Sequence, residues 1–483
     1  MARRELTSNQ GAPVADDQHS LTAGERGPIL LTDTVYLEKI AQFDREKVPE
    51  RVFHAKGAGA FGFFAPYKSF APLTKASFLQ DPDKATPVFV RFSVAGESLG
   101  GADTVRDIRG FAVKFYTDEG NFDLICNHVP VFPLRDPLQF ADFVHAIKPD
   151  PVANVRGGPI AASRFWDFMS LRPEAMNFLM YLFSDIGAVK SYRTIQGFSI
   201  NTYKWINLCG EEVYVRYYWE PCAGVEFIDS KTAAQLAGTD PDAARRDLFD
   251  TIAAGQAVEF ELRVQTIKVE LEGEQPFDIL DPTLIWPEHL FPLLPVGRMV
   301  LNKNPENFFA EVEQSAFSPA ALVPGIGFSP DRVLQGRIFP YGDTQRHRIG
   351  ANFLQLPVNK PRTPVDNNMQ DGPMRIIYST DIANYLPNTL GGGEPEAAPE
   401  QGNPPEEYVS GYVGRHELAG DDYYQPGYLY RSMPEAARKR LAANVVASLG
   451  QAYEPIQRRM LAHFLRTDEE LGRRIAEGLK LAL

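Results

Sequence analysis

A chain of 483 residues has room for one large domain or about three smaller ones, and its 44% hydrophobic content can fill a sizeable core. With 49 Lys and Arg against 62 Asp and Glu, the formal charge is −13, which argues against a nucleic-acid or anionic-membrane partner. Three cysteines, Cys126, Cys209 and Cys222, suit a reducing, cytoplasmic setting better than a disulfide framework.

Residues 1–50 read as an extended arm. They are polar at first, then run through Gly27–Pro28–Ile29–Leu30–Leu31 to an amphipathic piece near Val35–Phe43. The start lacks an apolar stretch of the kind a signal peptide needs, and no run approaches a membrane span. Such an arm cannot bury itself, which hints at an oligomer.

Residues 51–300 carry mainly strand signals. Val88, Val90 and Phe92 alternate with Phe89, Arg91 and Ser93, and Phe111–Tyr116 alternates likewise. Val258, Phe260, Leu262 and Val264 share one face, and Val213–Tyr218 is a further β-rich run. Few links look like the helices that parallel strands need, so an antiparallel sheet or barrel is expected, with a helical insertion around Arg164–Phe183. Residues 301–410 are rich in Pro, Gly and Asn. They read as an ordered wrapping segment, with a low-complexity exposed loop at Gly391–Pro405. Residues 411–483 turn helical. Ser432–Met433–Pro434–Glu435 and Thr467–Asp468–Glu469–Glu470 both match a capping box, and Leu471, Ile475 and Leu479 recur at helical spacing.

Two stretches carry chemistry. In Arg337–Ile338–Phe339–Pro340–Tyr341–Gly342–Asp343–Thr344–Gln345–Arg346–His347–Arg348, helical spacing brings Arg337 back toward the Tyr341 oxygen. A free phenol, with a pKa of about 10, is a poor anionic ligand at neutral pH; a bound ferric ion or a neighbouring guanidinium favours the phenolate. The plain alternative is a surface tyrosine in a basic turn. In Glu50–Arg51–Val52–Phe53–His54–Ala55–Lys56–Gly57–Ala58–Gly59, a histidine precedes glycines that permit close backbone approach. Histidine suits proton shuttling, although a core histidine at a strand–loop junction would look the same. Cys126–Asn127–His128 adds a polar trio in apolar surroundings, and a buried Asn amide can both donate and accept.

Together these stretches resemble the monofunctional haem catalase family, small-subunit type. Phe43–Asp44–Arg45 through Glu50–Arg51 to His54 and Gly57–Ala58–Gly59 is similar to its distal signature, and Arg337–Gln345 to its proximal haem-ligand signature. Val90–Arg91–Phe92–Ser93–Val94–Ala95–Gly96–Glu97–Ser98 with Ala102–Asp103–Thr104–Val105–Arg106–Asp107 resembles the strand between them. The resemblance implies an α+β fold with an antiparallel β-barrel core, an N-terminal arm, a wrapping segment and a C-terminal helical region. It implies disproportionation of hydrogen peroxide to water and dioxygen, protection against oxidative stress, ferric haem b, and a homotetramer. By similarity His54 is the distal acid–base, Asn127 orients peroxide and Ser93 supports the imidazole. Tyr341 is the axial iron ligand, an anionic donor that favours O–O cleavage, with Arg337 stabilising its charge. Arg51, Arg91 and Arg348 match propionate partners, Phe140 and Phe143 match aromatics of the haem face and channel, and Asp107 matches a channel carboxylate.

The sequence departs from the family at Phe53, Cys126 and His128–Val129, near the haem or its entrance. At the nicotinamide-nucleotide positions it has Asn177, Tyr218 and Glu220 in place of basic residues, which weakens the case for bound NADPH. Gly96–Glu97–Ser98–Leu99–Gly100 matches the nucleophile elbow of hydrolases, but no apolar helix is expected after it. A haem-binding sensor would need Tyr341 and the arginines but neither His54 nor Asn127. A peroxygenase or isomerase on the same scaffold would differ in channel width. No zinc motif occurs among the eight His and three Cys.

Overall fold

Ten strands form one antiparallel sheet in the computed structural model, which describes residues 4–378, 380–390, 395–403 and 410–483. They are β1 (Gly57–Pro66), β2 (Thr86–Val94), β3 (Arg109–Thr117), β4 (Gly120–Asn127), β5 (Gly197–Phe198), β6 (Tyr203–Ile206), β7 (Glu212–Pro221), β8 (Val258–Lys268), β9 (Leu294–Lys303) and β10 (Ile326–Phe328). Neighbours run β1–β2–β3–β4–β5–β7, and β7 pairs with β8, β8 with β9 and β9 with β1. The sheet therefore closes into an eight-stranded barrel, which removes the exposed edges of an open sheet. β6 and β10 extend it beside β7.

The expected alternation decides what lies inside. Val258, Phe260, Leu262 and Val264 are all buried and join Phe92, Phe111, Phe115 and Trp219 in one core. Aromatic rings fill the barrel, with Phe111 stacked on Trp219 at 5.9 Å and edge-on to Phe260 at 4.9 Å. With the interior full, Arg91, Ser93 and Asn127 fall on the outward-facing positions. That outer face is covered too. Phe89 packs with Val312, Phe317 and Val358 of the segment after β9, so the segment is ordered where it lies on the barrel. Gly59 makes the approach possible, because a Cβ there would stand 2.9 Å from both Phe89 and Val312.

Residues 1–50 form a compact unit of their own. It holds helix α1 (Thr34–Phe43), whose N-cap Asp33 accepts from the Tyr36 amide and also from the Leu21 amide at 2.7 Å. α1 buries none of its own residues.

The helical insertion is larger than the sequence suggests: α2 (Phe140–Ile147), α3 (Gly158–Ser170) and α4 (Met176–Phe183) precede β5. Two more helices, α5 (Ser230–Thr239) and α6 (Ala243–Ala253), occupy the β7–β8 link, in a region expected to be mainly strands. The α6 stripe is short, just Ala244, Leu248 and Ile252, and its mean pattern is polar, which hides it from a reading by periodicity. α7 (Arg332–Arg348) follows β10, and α8 (Tyr424–Ser432), α9 (Glu435–Leu449), α10 (Glu454–Thr467) and α11 (Glu469–Leu479) close the chain. These last helices share a core with α3 and α4, in which Trp166, Phe183, Phe464, Leu471 and Ile475 are buried.

Neither expected capping box forms. Ser432 ends α8 and donates backward to the Leu429 carbonyl, while Pro434 takes the N-cap of α9 with no side-chain cap. Thr467 is the last residue of α10 and bonds the His463 carbonyl; the N-cap of α11 is Asp468, which accepts from Glu470 and Leu471. In both cases the preceding helix runs up to the expected cap and claims its hydroxyl. The loop expected at Gly391–Pro405 lies partly outside the described residues, at 391–394 and 404–405. Among the described residues no helix is long and apolar enough to cross a membrane.

Candidate functional site

One row of ladder partners carries the imidazole side. Gly57 pairs with Ser93, Ser93 with Gly110, and Gly110 with Asn127. Partners across an antiparallel ladder point to the same face, and strands lie about 4.8 Å apart, so Ser93 and Asn127 flank Gly110 on one surface. His54 precedes β1 and prolongs this ladder, its amide bonding the Ala95 carbonyl at 2.8 Å. The chain then turns sharply, with His54 at φ +62°, a left-handed conformation that costs a non-glycine residue about 1–3 kcal/mol. Arg91 holds the turn by donating to the His54 and Ala55 carbonyls, both at 3.0 Å.

The ring is held in turn. His54 Nδ1 lies 2.9 Å from Ser93 Oγ, and Nε2 has no partner among the described residues. Gly110 leaves room for this pair, since a Cβ there would stand 2.5 Å from Ser93 Oγ and 2.8 Å from Nδ1. Asn127 makes no side-chain hydrogen bond among the described residues and is only half-buried. Phe53 meets His54 edge-on at 4.7 Å and Phe140 at 5.7 Å, with Phe143 at 6.5 Å, forming an aromatic wall beside the imidazole. Burial, and then the charges of Arg91, Arg337 and Arg51, lower the His54 pKa to about 3. The imidazole is therefore neutral at pH 7 and free to accept a proton.

The phenol side is local. On α7, Arg337 Nη2 donates to the Tyr341 oxygen at 2.7 Å, and its other arm donates to Asn201 Oδ1 at 2.5 Å. Asn201 donates to Asp331 Oδ2 at 2.9 Å, and Asp331 caps α7 through the Leu334 amide. The helix continues through Pro340, although proline can offer no amide of its own. Arg337 keeps its charge: burial opposes it, but Tyr341, Tyr203 and Asp331 outweigh that cost.

A third group holds charge. Arg51, Arg91 and Arg348 are all buried. Arg51 Nη2 donates to the carbonyls of Val312, Glu313 and Ser315 at 2.9–3.1 Å. Glu313, at the end of the Phe309–Glu313 turn, accepts from Arg348 at 2.7 Å and lies 3.4 Å from Arg51 Nη1. Arg51 Nη1, Arg91 Nε and Glu313 Oε2 are buried without a hydrogen-bond partner. Burial lowers the Arg51 and Arg91 pKa values, Arg91 to about 10, and Arg348 is lowered for the same reason. Buried cations with unused donors fit a buried dianion such as the paired propionates of a haem.

Other expected residues fall elsewhere. Asp107 accepts from the Gly96 and Ile108 amides at 2.6 and 2.7 Å, and burial raises its pKa to about 6. His128 is a buried structural residue, its ring accepting from the Arg109 amide and meeting the Ile186 carbonyl. Cys126 points into the barrel core, and burial raises its thiol pKa. The Gly96–Gly100 stretch leads through turns to β3 with no helix after it. Asn177 is buried against Thr283 and Gln425, Tyr218 bonds Gln265, and Glu220 accepts from Gln196. A cleft of about 390 Å³ beside Tyr218 is lined by the carboxylates of Asp185, Glu220 and Glu288. Sequence reasoning missed Glu313, Asn201, Asp331 and Gly110. Only Glu313 left a trace, as an acid in the apolar run Val312–Phe317.

Comparison with known proteins agrees. The family described as Catalase matches residues 7–392, and Catalase-related immune-responsive matches residues 416–479. "Catalase" of Methanosarcina barkeri is 46% identical, covering 99% of this chain and 94% of the relative. "Catalase-A" of Dictyostelium discoideum is 44% identical over 98% and 96%. A crystal structure titled as a fungal catalase superposes with a TM-score of 0.94 at 38% identity, covering 99% of this chain and 96% of that one.

Proposed function

Because the chain belongs to the catalase family and disproportionates hydrogen peroxide to water and dioxygen, we propose that His54, Asn127 and Tyr341 carry that reaction around one haem b. The observation that carries this reading is a buried junction. Arg91 donates to the carbonyl of His54, and Arg51, on the same stretch, shares the Glu313 carboxylate with Arg348, which lies on the helix of Tyr341.

When bound, the haem supplies the redox chemistry, exchanging two electrons with peroxide at its ferric iron. The protein supplies everything else. Tyr341 offers an oxygen ligand, and the Arg337 hydrogen bond suits a negative charge there. Arg51, Arg91 and Arg348 would hold the propionates, with Phe140 and Phe143 as the aromatic wall beside the imidazole. Asn127 orients the peroxide with its unused amide. Neutral His54 takes a proton from one peroxide oxygen at Nε2 and returns it to the other, so that one oxygen of the first peroxide leaves as water. Ser93 holds the ring still through Nδ1. The second peroxide gives up its two hydrogens over the same groups and leaves as dioxygen, and those hydrogens leave with the other oxygen of the first peroxide as a second water.

The acidic cleft at Tyr218, Glu220 and Glu288 supports a site without NADPH, since carboxylates repel nucleotide phosphates. The low cysteine count supports a cytoplasmic enzyme, and an arm whose helix buries none of its residues supports a homotetramer. The test is the visible spectrum of the purified protein, followed by oxygen release on adding peroxide. A Soret band with oxygen evolution is expected; a protein lacking both overturns the reading.

A further inference from the structure

Strand β4 ends at Asn127, and Pro130, which has no amide to offer a ladder, follows soon after. The next rung after Asn127 is made by a side chain. The His128 amide bonds the Arg109 carbonyl at 2.9 Å, and the Arg109 amide bonds His128 Nδ1 at 2.8 Å, where a regular rung would use the His128 carbonyl. An amide N–H can only donate and a carbonyl only accept. Nδ1 therefore carries the lone pair, and Nε2 donates its hydrogen to the Ile186 carbonyl at 3.0 Å. Burial, and then the charge of Arg109, lowers the His128 pKa to about 3, so the ring is neutral at pH 7. We propose that His128 is a positioning residue for Asn127: its ring closes the β3–β4 ladder beside Asn127 and ties that strand end to the turn after α4. The inference rests on the peroxide-orienting role given to Asn127 above and adds to it a residue that touches no reacting atom.

The physical reason is that Asn127 has nothing else to aim it. Its side chain makes no hydrogen bond among the described residues, so the backbone alone fixes where the amide points. Rungs of an antiparallel ladder alternate between bonded and non-bonded pairs. With Arg109 and His128 bonded, Gly110 and Asn127 form a non-bonded pair. On the other flank, β5 is only Gly197–Phe198, with Phe198 opposite Asn127. A strand end held by so few bonds frays. The His128 ring holds it from two directions, one bond to β3 and one to the helical insertion, and at 3% exposure it does so away from water.

The two bonds can be removed one at a time. Asn places its side-chain oxygen as many bonds from Cα as His Nδ1, and Gln places its amide nitrogen as many as Nε2. His128→Asn therefore keeps the acceptor for Arg109, whereas His128→Gln keeps only the donor to Ile186. The quantity measured is the second-order rate of oxygen release per bound haem in the holoenzyme. Asn127→Ala is expected to lower it about tenfold and His128→Gln about fivefold, the weight of one or two lost hydrogen bonds. His128→Asn should stay within about threefold of the parent. Because His128 acts through Asn127, adding His128→Gln to Asn127→Ala should lower the rate by less than about twofold further. A larger further fall is what simple packing would give, and it overturns the proposal. So does a crystal structure of His128→Gln in which the Asn127 side chain has not moved. If His128→Gln fails to fold by circular dichroism, His128→Asn decides alone: a fall beyond about threefold overturns the proposal and a smaller one supports it. Asn127→Ala as active as the parent would instead overturn the functional reading of Asn127, and this proposal with it.

Discussion

On the phenol side of the site, Arg337 and Tyr341 meet because they stand four residues apart on one helix. On the imidazole side, His54, Ser93, Gly110 and Asn127 come from four separate pieces of chain and meet only through barrel pairing. The helix pair is set by local geometry and tolerates change elsewhere. The strand row is set by register, where a slip of one residue would turn every side chain into the packed interior. The two sides also differ in charge. The phenol side sets a guanidinium against the phenol oxygen, whereas the imidazole side uses burial and surrounding cations to keep a base neutral.

Breaking the imidazole side should cost most. His54→Ala is expected to keep its haem but lose oxygen evolution by about 10²–10⁴-fold, the usual weight of a general acid–base. Near-normal oxygen release from that variant would remove His54 from its role. Tyr341→Phe should break the phenol side instead, lowering haem content of the purified protein or shifting its visible bands; an unchanged spectrum and full occupancy would count against it. Gly110→Ala sharpens the comparison, because it touches neither peroxide nor haem. Its new Cβ would push into Ser93 and the imidazole, and overpacking of this kind costs about 1–3 kcal/mol. Activity should fall further than in Ser93→Ala, which loses one hydrogen bond worth about 1 kcal/mol. Equal activity in the two variants would mean that ring position matters little.

Acid should expose the smallest difference. His54 and His128 both have pKa values lowered from 6.5 to about 3, first by burial and then by neighbouring arginines. The unfolded chain therefore takes up protons first as pH falls. Their contribution to stability is complete above pH 6.5 and is lost progressively between 6.5 and 3. Asp107 runs the other way: burial raises its pKa from 3.8 to about 6, so its contribution is lost as pH rises through that range. Melting temperatures recorded from pH 7 to 4 should fall less steeply in His128→Gln than in the parent. Parallel curves would mean that His128 titrates no differently when folded.

The reach of the amino-acid order follows the same divide. Alternation along Val88–Val94 and Val258–Gln265 marks strands because inward and outward residues differ in polarity along a single strand. The Arg337–Tyr341 contact is legible because helical spacing is a property of one helix. The helices α5 and α6 escaped because their apolar stripes are only a few residues long. The caps of α9 and α11 moved because the preceding helices claim the hydroxyls of Ser432 and Thr467.

Composition, periodicity and two signatures nearly three hundred residues apart were enough to mark a β-barrel of the catalase family and to single out His54 and Tyr341 as candidates. Chain folding alone decided that the barrel interior is packed with aromatic rings, which turns Ser93 and Asn127 to its outer wall. It alone placed Glu313 among arginines, one of them 262 residues distant. Local patterns survive in a linear string because they depend on neighbours a few positions away, whereas charge balance inside a protein depends on which distant groups share one water-free space.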